Sequence, residues 1–124
     1  MHKQFLTLGS ILMALAVGLG AFGAHGLKNI LSPEMISVFE TGVTYHFYHA
    51  LGLLALGIVA HFLPSSSLFT WSGWLMFAGI IIFSGSLYLL SISGTRWLGA
   101  ITPIGGLCFI VAWLLFATAI WKGM

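Results

Sequence analysis

A chain of 124 residues that is 60% hydrophobic and 5% charged, with a formal net charge of +2, cannot cover itself with polar groups. A water-soluble domain needs about a quarter of its residues charged, so a soluble globular fold is excluded. The excess positive charge forms no basic run and no basic helix face, so no nucleic-acid partner is expected. The bilayer is therefore the solvent, as the mean hydropathy of +1.10 also requires. In lipid every backbone polar group must be satisfied within the chain. The apolar stretches between Lys3, Lys28, Glu34, Glu40, Arg96 and Lys122 are long enough to cross about 30 Å of hydrocarbon as helices. The expectation is an all-α integral membrane four-helix bundle, one transmembrane domain over residues 1–124.

The first span is expected over about 5–24. Its basic start and small residues at Ala21, Gly23 and Ala24 imitate a signal peptide, but its apolar run of about 18 residues is longer than a signal core. His25 lies in the last turn and Gly26 fits a C′ position. After Lys28 and Asn29, Ser32-Pro33-Glu34 reads as a helix start: Ser32 as N-cap, Pro33 where no donor is lost, and Glu34 where the helix dipole favours an anion. Nothing then stops the helix before Pro64, about 45 Å further on. That exceeds the bilayer core, so residues 33–42 are expected in the headgroup region, protruding or bent at Gly42, with the second span over about 43–63.

Pro64 and the serines after it form a turn. The third span, about 70–92, has Trp71 and Trp74 at its entry, the depth an indole prefers. Thr102-Pro103 repeats the cap-and-proline start, and the fourth span runs over about 103–121, with Lys122 as its snorkelling end. The matching Ser32-Pro33 and Thr102-Pro103 fit either a duplicated hairpin or helix capping alone. Cys108, the single cysteine, sits mid-helix as a small packing residue.

Small residues predict how the spans pack, because helices in lipid gain from close backbone approach. Span one carries two such rows, Ser10-Ala14-Gly18 and Ala16-Gly20-Ala24. Two receptive faces predict that it is the central helix, and that one row is free to form a homo-oligomer or to receive another membrane protein.

Residues able to carry chemistry gather on the face shared by loops one and three. Candidates for ligand binding are His25, Lys28, Glu40, Tyr45, His49 and Arg96. The small neighbours of His25 leave its imidazole accessible. Arg96 suits a carboxylate or a phosphate, and lipid headgroups are the commonest phosphates at that depth. Thr41, Tyr45 and His49, spaced by four, form a stripe expected to face the bundle and to fix packing or hold a ligand or proton. Convergence of the three segments would give a pocket with Arg96 as anchor, His25 as donor, and Tyr45 and His49 as floor.

His46 and His49, three apart, share a helix face that zinc could use, but no third ligand lies near and an unbroken helix turns Glu40 away. No metal and no cofactor is assigned. The chain lacks a Ser-His-Asp arrangement, a nucleotide loop and a cysteine pair.

Four stretches of the chain together resemble a known family: Gly20-Ala21-Phe22-Gly23-Ala24-His25-Gly26-Leu27; Phe39-Glu40-Thr41-Gly42 with Tyr45 and Tyr48-His49-Ala50; Phe83-Ser84-Gly85-Ser86-Leu87-Tyr88; and Arg96 through Gly106. They resemble the small four-helix inner-membrane proteins of the YgdD and YwdK type, a family without an assigned activity. The resemblance implies a multi-pass protein of the bacterial plasma membrane, with a mitochondrial relative in animals. The chain departs from that family's pattern at His46, where glutamine is usual.

Two functional classes follow. One is a non-catalytic homo-oligomer or accessory subunit that binds lipid or a small anion at the loop one and loop three face. The other is a small membrane enzyme or proton-coupled transporter using a His/Tyr/Arg pocket. An enclosed polar cavity at mid-membrane would favour the second, and a dry bundle with lipid on its rim the first. The positive-inside count is tied between Lys3 with Lys122 and Lys28 with Arg96; the amino terminus tips it towards cytoplasmic termini.

Overall fold

The computed structural model describes residues 2–124. The fold is all-α, with four stretches long and apolar enough to cross a membrane. α1 is His2–His25 and α2 is Pro33–Phe62. The third stretch joins α3 (Ser67–Gly79) through a π-helical turn at Ile80–Ser84 to α4 (Gly85–Ser93). A 3-10 turn at Arg96–Ala100 leads into α5 (Thr102–Gly123).

Local chemistry sets the helix ends. The Ser32 hydroxyl accepts the Met35 backbone N–H at 3.2 Å, with Pro33 and Glu34 in the first turn, as the sequence reading expects. Thr102 corrects that reading. The chain is already helical at Ile101, so α5 has no side-chain cap, and the Thr102 hydroxyl instead shares a 2.6 Å hydrogen bond with Ser86 of α4. Gly26 is also not a left-handed cap; that conformation belongs to Gly94, with φ 71°, whose N–H returns to the Leu90 carbonyl and ends α4.

The central helix is α2, not α1. It packs against α1, both halves of the third span and α5, while α3 and α5 form the other tight pair. The buried side chains of α1 (Phe5, Gly9, Leu12, Ala16 and Gly23) describe one seam. The expected row Ser10-Ala14-Gly18 is exposed, and a Cβ on Gly18 would meet nothing within 4 Å. Sequence spacing shows which residues are small, but the partner helix decides which row is used.

α2 runs uninterrupted through Gly42. The role of Gly42 is proximity: a Cβ there would come within 2.9 Å of the Tyr88 ring, and its carbonyl accepts the Ser84 hydroxyl at 2.7 Å. Similarly the Phe5 ring lies flat on the bare backbone of Gly73, locking the start of α1 to α3. Hydroxyls supply directional ties between helices, such as Ser72 to the Ala112 carbonyl at 2.7 Å, joining α3 to α5.

Candidate functional site

The six expected residues divide into three groups. Arg96 pairs with Glu34 at 3.4 Å, so loop three and the start of α2 do meet on one face; both side chains are well exposed, at 75% and 65%. His25 and Lys28 lie exposed at the end of α1 and in loop one. Glu40 lies across a cleft from Lys28.

That cleft is where small residues of α1 leave space against α2. A cavity of about 270 Å³ has Gly20, Gly23 and Ala24 on one wall and Phe39, Glu40 and Val43 on the other. It adjoins a second hollow of about 530 Å³ that shares Gly23, Ala24 and Glu40 and adds Lys28, Pro33 and Ser37. The cleft's walls are mostly small and apolar residues, with Glu40 lining both hollows and Lys28 the outer one.

Tyr45 and His49 belong elsewhere, against α5. The His49 ring is buried and stacks on Phe109 with centroids 3.5 Å apart. Its Nδ1 donates to the Tyr45 carbonyl at 2.7 Å, and its Nε2 accepts the Trp113 indole N–H at 2.9 Å. Both nitrogens are therefore occupied, and the tautomer is set. Tyr45 is 40% exposed and leans on Phe83 with centroids 4.7 Å apart. Thr41, at the top of the stripe, is exposed and donates to the Ser37 carbonyl. The stripe thus twists from the surface into the α2–α5 contact. The pocket expected from Arg96, His25, Tyr45 and His49 is not assembled, because the cleft holding Lys28 and Glu40 is on the α1 side of α2.

His46 points differently from His49. Its ring is 3% exposed, and its Nδ1 is 2.8 Å from the Tyr88 hydroxyl of α4. Nε2 is buried without a hydrogen-bond partner. The two imidazoles therefore serve different helices and do not converge on a common point. Ser86 and Tyr88 enter the sequence reading only inside a family motif, without a role, and Trp113 not at all; only their positions against α2 and α5 reveal their use.

Comparison with known proteins places these observations in a family. Residues 19–106 match the family model described as a protein of unknown function, DUF423. The chain is 52% identical over 117 residues to UPF0382 membrane protein YwdK of Bacillus subtilis, covering 94% of this chain and 95% of that one. It is 52% identical over 120 residues to UPF0382 membrane protein SSP2132 of Staphylococcus saprophyticus, covering 97% and 98%. A Staphylococcus aureus UPF0382 membrane protein is 48% identical over 97% of each chain. No solved structure matches. With four apolar helices and near full-length relatives of this kind, the chain is a multi-pass bacterial membrane protein and belongs to the DUF423 family of UPF0382 membrane proteins.

Proposed function

We propose that the protein is a non-catalytic, homo-oligomeric or accessory membrane component that binds a phospholipid in the cleft between the end of α1 and the start of α2. The observation that carries this reading is a cleft with mostly small and apolar walls that brings Lys28 and Glu40 to one hollow. A zwitterionic headgroup has a phosphate for Lys28 and an ammonium for Glu40, while an acyl chain fits beside Gly20 and Val43. His25 and Arg96 stand nearby on the same face as further headgroup contacts, and Tyr45 and His49 serve packing. The exposed row Ser10-Ala14-Gly18 is the surface for a second copy.

Native mass spectrometry of protein extracted in mild detergent tests the lipid reading. Gly20→Leu fills the cleft with little conflict, because a Cβ there meets only Val43, at 3.5 Å. It should remove retained phosphatidylethanolamine, and Lys28→Ala should lower it several-fold. Undiminished retention in both variants would overturn the reading, and competition by inorganic phosphate would replace the lipid with a free anion.

A further inference from the structure

A second groove opens between α1 and the third span. α1 and α4 both lie against α2, and a hollow of about 570 Å³ remains between them. That volume is in the range of small-molecule sites. Leu12 and Leu19 of α1, Ile81 and Gly85 of the third span and Leu98 of loop three line it, and the His46 ring lies among them.

Three observations bear on what this groove holds. The first is His46. Tyr88 has one phenolic hydrogen, and donating it to Nδ1 leaves the ring proton on Nε2. The reverse arrangement would strand both the phenolic hydrogen and the Nε2 lone pair. Nε2–H is then a buried donor with no acceptor; the Leu12 carbonyl approaches the ring but does not complete a hydrogen bond. The second is Gly85. Glycine inside a helix is disfavoured, yet a Cβ at this position would meet nothing within 4 Å, so no neighbour in the chain requires it. The third is the π turn at Ile80–Ser84, an irregularity frequent at functional sites, whose first three residues line the groove.

Depth narrows the occupant. Leu12, which lines the groove together with His46, is near the middle of α1. Phospholipid phosphates and ester carbonyls sit about 15 Å from the bilayer centre and do not reach this donor. The acceptor must belong to a molecule that lives wholly in the hydrocarbon. We infer that the groove binds an uncharged, lipid-soluble carbonyl compound of the quinone class, with one carbonyl oxygen accepting the His46 Nε2–H and the ring seated over Gly85. A quinone has apolar surface on both sides of its carbonyls, as the groove has on both sides of the imidazole. No redox step is involved; the inference concerns binding. It uses a different cleft from the phospholipid reading, so either can fail alone.

The test uses the full chain in phosphatidylcholine nanodiscs, titrated with a short-chain menaquinone and, separately, with the same hydrocarbon tail lacking the ring. Melting temperature and the ring signals of isotope-labelled histidine report binding. The quinone should raise the melting temperature saturably and shift the His46 signal, and the bare tail should do neither. Gly85→Leu should keep helicity and ligand-free melting behaviour but abolish the response. His46→Leu should weaken binding at least tenfold, and His46→Gln, which keeps a donor, should retain most of it. An equal response to the bare tail, or undiminished binding in Gly85→Leu, would overturn the inference. Efficient crosslinking of two copies through Ile81→Cys would also overturn it, because a second chain would then cover the groove.

Discussion

The indole N–H of Trp113 donates to Nε2 of His49 across 2.9 Å, joining α5 to α2 inside the bundle while the imidazole stacks on Phe109. A hydrogen bond in this position holds two spans in one rotational setting, since neither ring can turn without leaving a polar atom bare.

Trp113→Phe keeps an aromatic ring beside Phe116 but removes the donor. Unfolding in detergent should become easier by about 0.6–1.7 kcal/mol, the range of interhelical hydrogen bonds in membranes. A larger loss in the double variant Trp113→Phe with His49→Phe than in the single one would show that the stacked imidazole contributes independently.

The Phe5 ring occupies the place where a side chain at Gly73 would stand. Gly73→Leu should therefore push the start of α1 from α3 and destabilise the fold by about 1–3 kcal/mol, the usual scale of overpacking. The partner variant Phe5→Leu should partly restore the melting temperature.

Gly18 faces open space on α1. Gly18→Leu should leave the melting temperature of the monomer unchanged but shift the species seen by light scattering in detergent towards lower mass. An unaltered mass would remove the Ser10-Ala14-Gly18 row as an interface.

The Glu34–Arg96 pair joins the start of α2 to loop three, far apart in sequence, but both side chains are mostly exposed. Glu34→Ala should change stability by less than about 1 kcal/mol. Any such change should vanish in high salt, which screens exposed pairs.

Features that depend on a few consecutive residues are legible in the sequence. Ser32 caps α2 because its neighbours Pro33 and Glu34 favour a helix start and nothing distant competes. Thr102 carries a similar local signature, yet Ser86 on another helix captures its hydroxyl, and no local pattern reports that competitor. The same limit applies to α1. Its two rows of small residues are real, but whether a helix is central depends on how many neighbours surround it. For the candidate residues, spacing by four correctly grouped Tyr45 with His49 on one side of α2. It could not say that Glu40 would sit across from α1 instead, or that His46, between the two in sequence, would find Tyr88.

The π turn at Ile80–Ser84 acts as a phase shifter between the two halves of the third span. Gly85 donates to the carbonyl of Ile80, five residues back, so the turn holds one more residue than an α-helix would. Ahead of it, Ser72 and Gly73 are aimed at α5 and α1; behind it, Tyr88 and Ser86 are aimed at α2 and α5. Deleting one residue such as Ile81 would turn α4 by about 100° relative to α3. Tyr88 and Ser86 would lose their partners together, although neither had been altered. The span therefore behaves as two helices with separately set bearings, and one inserted residue coordinates them.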